Sequence, residues 1–427
     1  MNLTPEQIAI GRRNFLKAIA GVPAVAAIGT TAARAAVRGG PVRVGFIGVG
    51  GQGRALLGRV DPAFAEVRAI CDINPASLTR ADETLKTRSR PAARHYVEWR
   101  DMLQHEDIEA VIIAVPLWAH ADVAVGCFDA GKHVLCEKMM AWDVAGCRRM
   151  MQAATNSGKV FEIGYQRHYN SVYTTAYDGV IRRGLLGDVH HVRLAWHRNG
   201  NWRRAGDPPA KNYDPSTWGY PTFEHLWNWR LYWKYSQGLF CELGSHQVNA
   251  ANWFLGATPV TVQSCGGIHR YQDGREVPDH VYTMFEYPGG VTGTFSSIES
   301  NAFDERYETF YGTKATLIMR NENDALLFDE GSNQPTAIEV APKGAGATLE
   351  TSETKPSSAG GPARTAALPP AGQGQVSPST VEISSFCSAI REGTPLACGP
   401  ERAFHSCTWT LAANDAMKTK APIRIAP

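Results

Sequence analysis

Three features are scarce in this chain of 427 residues: charge of one sign, paired cysteines and long apolar runs. Lys and Arg number 43 against 41 Asp and Glu, a formal +2. That balance leaves no clustered basic stripe of the kind that grips nucleic acid. The nine cysteines are odd in number and include no C-x-x-C pair, which argues against a disulfide framework. Cys387, Cys398 and Cys407 are the candidates for a bridge, and buried free thiols are the plainer reading. The mildly apolar run from Ala18 to Ala33 is Ala-rich and holds Gly21, Pro23 and Gly29, so it is too short and too weakly apolar for a stable membrane span. No internal repeat is visible, and no metal ligand set is expected. What is present is 44% hydrophobic, 20% charged and 9% aromatic composition over 427 residues. This is enough for two ordinary domains, and it excludes a stapled peptide, a disordered chain and a collagen-like fibre.

The first 35 residues read as an address. Gly-Arg12-Arg13-Asn-Phe-Leu-Lys17 precedes the Ala-rich run, and Ala33-Arg34-Ala35 closes it. The paired arginines, weak apolar middle and A-x-A end resemble a twin-arginine export signal cut after Ala35. The resemblance implies a periplasmic or otherwise exported protein, handled already folded by the twin-arginine machinery. Residues 1–35 carry Arg12, Arg13, Lys17 and Arg34 against Glu6, a net +3, which leaves −1 on the remainder. No cysteine near the cut supports a lipid anchor.

From residue 36 to 160, short apolar runs at Val42–Ile47, Val67–Asp72, Ala110–Val115 and His133–Cys136 alternate with helical stretches. Alternation of this kind predicts a doubly wound parallel sheet. From 161 to 427 the texture changes. A helix-like stretch at Asn170–Arg183 is followed by period-2 runs at Val189–Trp196, Val260–Cys265, His280–Tyr287, Thr292–Ile298 and Tyr307–Met319. These predict an α+β domain with a mainly antiparallel sheet. Residues 342–379, rich in Pro, Gly, Ala, Ser and Thr, read as a long mobile loop, and amphipathic segments at Val381–Arg391 and Glu401–Lys418 close the chain.

The first predicted strand ends in Gly48-Val-Gly50-Gly-Gln52-Gly53. In such a motif the first glycine permits the tight turn, the second lets backbone approach a pyrophosphate, and the third lets helix and strand pack closely. Ordinary turns also use glycines. Here, however, Asp72 lies 19 residues past Gly53 at the end of a second strand, placed to accept bonds from a ribose 2′-hydroxyl. A carboxylate there repels a 2′-phosphate, so NAD is expected, with Arg54 and Arg80 keeping NADP open.

Further marks follow: the Pro116 to His120 turn, Glu137-Lys138 after a G-K-H-V strand, Gly164-Tyr-Gln-Arg167, and Gly238-Leu-Phe-Cys-Glu242-Leu-Gly-Ser-His246-Gln-Val-Asn249 followed by Trp253. With the glycine motif they make the chain resemble the Gfo/Idh/MocA oxidoreductases, well over residues 42 to about 320. The resemblance implies a Rossmann domain followed by a domain with an open-faced sheet, through which the protein forms a homodimer or homotetramer. It implies that Lys138 lies beside the nicotinamide and the substrate hydroxyl, and that His246 is the acid-base group. Gly48, Gly50, Gln52, Gly53, Asp72, Pro116, His120 and Glu137 are then the cofactor-binding candidates. Lys138, Arg167, Glu242, His246 and Asn249 are those for a carbohydrate substrate.

Two positions depart from the family pattern: Met139 stands where proline usually follows the lysine, and Asn249 where an Asp is frequent. Asn249 cannot act as a base, leaving Glu242 as the nearest candidate carboxylate for His246. If helical, Glu242, His246, Asn249 and Trp253 share one face. Six of the eleven tryptophans fall from Trp196 to Trp233, suited equally to sugar faces and to a core.

Nicotinamide cofactors are made and recycled in the cytoplasm, so an exported enzyme is expected to retain its own. The leading expectation is a sugar oxidoreductase with resident NAD. The alternative is a redox-neutral NAD-dependent glycoside hydrolase or epimerase, in which transient oxidation at C3 acidifies the C2 hydrogen. A non-enzymatic sugar-sensing protein is a third class, disfavoured by the presence of both Lys138 and His246.

Overall fold

The structure, a computed structural model, describes residues 3–20, 39–105, 107–204, 213–330, 338–343, 346–351 and 376–425. The candidate cleavage point at Ala35 lies outside them. The chain opens with helix α1 (Pro5–Ile19), capped by Thr4, whose side chain accepts from Gln7 N while the Gln7 side chain accepts from Thr4 N. Helix α1 lies against the second domain. Phe15 is buried, Gly11 sits so close to Leu326 and Phe328 that a Cβ there would collide, and Arg12 forks onto Asp324 with two bonds of 2.9 Å.

The first sheet takes β1 (Val42–Ile47), β2 (Ala65–Cys71), β3 (Arg94–Tyr96), β4 (Ala110–Ile113), β5 (His133–Glu137) and β6 (Phe161–Gly164) in the order 3-2-1-4-5-6, all parallel. Its crossovers are α2 (Gly51–Leu57), α3 (Pro75–Thr87), α4 (Trp99–Leu103), α5 (His120–Asp129) and α6 (Val144–Ser157). Strands β1 and β4 are buried nearly throughout because helices cover both faces. The expected boundary at 160 falls just before β6, so the first sheet runs four residues further.

The chain then passes through α7 (Ser171–Ala176), which widens into a π-turn at Tyr177–Ile181, so the expected continuous helix is two pieces. After β7 (Val189–Asn199) come α8 (Phe223–Trp227), a π-turn at Phe240–Gly244 and α9 (Ser245–Leu255). Strands β8 (Thr261–Gly267), β9 (His280–Glu286), β10 (Thr292–Ile298), β11 (Ser300–Gly312), β12 (Ala315–Arg320) and β13 (Asp324–Asp329) follow. The run expected at Tyr307–Met319 is thus parts of two strands, paired antiparallel across a short turn at Thr313 and Lys314. The eight-stranded sheet has the order 13-12-11-7-10-9-8 with the two-residue β16 (Ile423–Arg424) beside β8, antiparallel except where β10 runs parallel to β7.

Across the start of the stretch expected as a loop at 342–379, β14 (Ile338–Lys343) and β15 (Gly346–Thr351) pair as a hairpin, and residues 352–375 of that stretch lie outside the described residues. Helix α10 (Pro378–Glu392) returns to the first sheet, where Ile383, Phe386 and Cys387 join its core. Helix α11 (Pro400–Thr419) ties the domains together: Cys407 and Leu411 enter one core, Trp409 and Ala413 the other. A two-residue strand, β16 (Ile423–Arg424), ends the second sheet. All nine cysteines are free thiols, eight of them buried.

Candidate active site

The glycine turn has the three properties that its spacing demands. Gly48 has φ +85°, and a Cβ there would stand 2.6 Å from the Ala114 carbonyl oxygen. A Cβ on Gly53 would fall 1.9 Å from the Gly48 carbonyl oxygen, whereas nothing lies within 4 Å of one on Gly50. Two glycines are therefore required by close approach, and the middle one leaves open backbone for a pyrophosphate.

Asp72, just past β2, accepts from Val49 N at 2.9 Å and Asn74 N at 2.8 Å, which fixes its carboxylate beside the turn. Burial pushes this carboxyl up to about 6, against the pull of those two N–H groups. Gln52 donates to Glu137 at 2.6 Å, tying the glycine helix to the end of β5. His120 is buried, with its two ring nitrogens 3.0 Å from the Val115 carbonyl and 2.9 Å from the Met139 carbonyl, so it staples the loop after β4 to that after β5. The Lys138–Met139 peptide is cis.

These residues line a cleft of about 710 Å³ at the carboxyl ends of the parallel strands, with Pro116 in its floor. Its opposite wall comes from the second domain: Arg198, Trp202, Arg204, Trp218, Tyr220, Trp227, Trp229, Arg230, Glu242 and His246. Four of the six clustered tryptophans thus face the cleft. Open backbone at Gly50, an anchored carboxylate and a cleft of this size fit a dinucleotide lying across the strand ends.

Lys138 and His246 meet in this cleft. The Lys138 ammonium donates to the Glu242 carbonyl oxygen, and burial draws its pKa down against the opposing pull of Glu242 and Glu137. His246 stacks on Trp196 with centroids 5.8 Å apart and meets the edge of Tyr165 at 6.3 Å. Its Nδ1 is buried without a hydrogen-bond partner among the described residues. Burial, and secondarily the Lys138 charge, hold its imidazole well below the usual range, so it is neutral at physiological pH, the form that can accept a proton, and only weakly basic in the apo protein.

The expected pairing of His246 with Glu242 is not what the structure contains. The Glu242 carboxylate accepts from Ser236 Oγ at 3.1 Å and faces Arg230 Nε at 3.5 Å, because the π-turn carrying it directs it toward the 229–236 segment. Two more substrate candidates lie away from the cleft. Asn249, one turn beyond His246, is buried between helices, accepting from or facing His168 Nε2 at 2.7 Å and donating to Ser406 at 3.0 Å. Arg167 is buried in an ion cluster with Glu308 and Glu322. Trp253 packs against His168 at 4.4 Å. The polar stripe on this helix therefore reaches the cleft only in its first turn.

Sequence reasoning missed Arg198, Arg204 and Arg230. Arg230 lies over the Trp229 ring at 4.1 Å, and burial lowers its pKa to about 10. The density of tryptophans around these arginines was the available signal.

Comparison with known proteins agrees with this arrangement. Residues 42–165 match the model of an oxidoreductase family with an NAD-binding Rossmann fold, and residues 176–318 match a GFO/IDH/MocA C-terminal domain. Among curated proteins, a glycosyl hydrolase family 109 protein of Phocaeicola vulgatus is 30% identical over 183 residues, covering 40% of this chain and 42% of that protein. One from Shewanella baltica is 31% identical over 229 residues, 45% of this chain and 50% of that protein. The chain thus spans half or less of the length of these relatives.

Among solved structures, apo scyllo-inositol dehydrogenase from Lactobacillus casei superposes with TM-score 0.63 at 17% identity, over 91% of this chain and 99% of that one. The WlbA dehydrogenase from Bordetella pertussis, solved with NADH and UDP-GlcNAcA, gives 0.66 at 18%, over 91% and 99%. These likenesses establish the fold.

Proposed function

The chain belongs to the Gfo/Idh/MocA oxidoreductase family, and from that premise we propose that it is an exported sugar oxidoreductase working with a resident NAD. The observation that carries the reading is the meeting of Lys138 and His246 in the cleft that also holds the glycine turn. Bound NAD supplies the hydride acceptor. A sugar C–OH that is to lose hydride must also lose its hydroxyl proton. His246 takes that proton, and the Lys138 ammonium steadies the alkoxide oxygen. Asp72 meets the ribose hydroxyls, which favours NAD over NADP.

A second reading is favoured by one observation, the relatives of glycosyl hydrolase family 109. In this reading Lys138 and His246 serve a redox-neutral cycle in which transient oxidation at C3 acidifies the C2 hydrogen and permits elimination of the glycosidic group. A glycoside deuterated at C2 separates the two. A stable keto-sugar or lactone with matching reduction of a second carbonyl supports the oxidoreductase. Cleavage with C2 exchange and no net NADH supports the glycosidase, and neither outcome removes both. Under either, Lys138→Ala and His246→Ala each lower turnover by a factor of about 10² to 10⁴ with cofactor still bound. Full activity in His246→Ala returns that residue to a packing role.

The exported protein assembles as a dimer or tetramer through the open face of the eight-stranded sheet, where Met284 is 66% and Tyr282 46% exposed. Light scattering that gives a monomer at micromolar concentration contradicts this.

A further inference from the structure

The wall that the second domain contributes to the cleft contains two groups whose hydrogen-bonding capacity no described residue uses. The first is Arg204, shortly after β7. Its Nη1 lies 3.6 Å from where a Cβ on Gly51 would stand, so the guanidinium hangs over the glycine turn. It makes no hydrogen bond or ion pair with a described residue, yet the backbone that carries it is clamped. Arg204 N donates to Asn228 Oδ1 at 2.7 Å, and the Arg204 carbonyl accepts from Asn228 Nδ2 at 3.4 Å.

The second group is on the residue before Asn228. Trp227 lines the cleft with its indole N–H buried and without a partner among the described residues, although a buried donor left unpaired is costly. The Arg80 guanidinium of α3 stands 5.7 Å from the Trp227 ring, which places Trp227 at the end of the cleft marked by Asp72 and α3.

Taking the cleft as the NAD site proposed above, we propose that the second domain makes its own contacts to the dinucleotide: the Arg204 guanidinium to the pyrophosphate, and the Trp227 indole N–H to an acceptor on the adenosine half. Gly51 adjoins the open backbone of Gly50, so an anion lying there is within reach of a planar, fork-shaped donor from above. Asn228 links the two contacts, holding the Arg204 backbone while continuing the chain from Trp227. A dinucleotide gripped by glycine backbone below and by arginine and indole above must break both sets of contacts to leave. This supplies a physical basis for a cofactor that stays through turnover, and neither residue belongs to the glycine motif.

The test follows release of NADH from the full-length protein by its fluorescence, after addition of excess unlabelled NAD, at low and high salt. Arg204→Met is expected to release NADH about tenfold faster at low salt and to lose most of the salt dependence. Arg204→Lys falls between it and the wild type. Trp227→Phe, which keeps the ring and removes the N–H, is expected to release severalfold faster with its salt dependence intact. The apo melting temperature of Arg204→Met stays near the wild-type value, because the guanidinium makes no hydrogen bond or ion pair with a described residue. Wild-type release rates in both Arg204→Met and Trp227→Phe overturn the proposal, as does a fall in apo stability that accounts for the faster release. Wild-type protein that binds no NADH removes the NAD reading itself, a result distinct from wild-type rates in the variants.

Discussion

Asp72 is a half-buried carboxylate of the cleft whose protonation is linked to stability. Its folded-state pKa of about 6 lies above the ordinary aspartate value because burial outweighs the two N–H bonds from Val49 and Asn74. The folded apo protein therefore holds this proton more tightly than the unfolded chain does. The associated stability is complete below the ordinary aspartate value and is lost as pH rises through about 6, at most about 3 kcal/mol. Thermal unfolding of apo wild type from pH 4 to 7 should show this decline, and Asp72→Asn should flatten it; equal slopes would refute the assignment. Asp72 was legible because strand, glycine spacing and carboxylate fall within one βαβ unit, where sequence separation fixes geometry. Arg167 and Asn249 were misread because their partners, Glu308, Glu322 and Ser406, come from distant segments. No local pattern distinguishes a polar residue facing a ligand from one neutralised in the interior.

At the scale of elements, the parallel strands were readable because a strand covered on both faces is a continuous apolar run. Strand β3 was not, since only three exposed or half-buried residues form it, and the turn between β11 and β12 is only two residues, too short to interrupt the run. The π-turn at Phe240–Gly244 has no periodic signature, yet it sets where Glu242 points. Helix α1 carries the paired arginines, and in the structure Arg12 is already engaged by Asp324. If residues 11–35 act as the export address, replacing Arg12 and Arg13 with Lys should trap unprocessed chain in the cytoplasm, because a lysine does not reproduce the planar guanidinium. Fractionation showing normal export of that double variant would sink the assignment.

The whole molecule places chemistry at a seam. The first domain supplies the glycine turn, Asp72 and Lys138, the second His246 and the aromatic wall, and α11 locks the two cores together so that the halves of the site keep their spacing. If the proposed export holds, such an enzyme works only if its cofactor remains in that seam. Mass spectrometry of the small molecules released by denaturing protein purified from the exported fraction tests this most directly. The account predicts NAD or NADH, without a 2′-phosphate, at about one per chain. Protein that is active yet yields no dinucleotide, or yields chiefly the 2′-phosphorylated form, would contradict it.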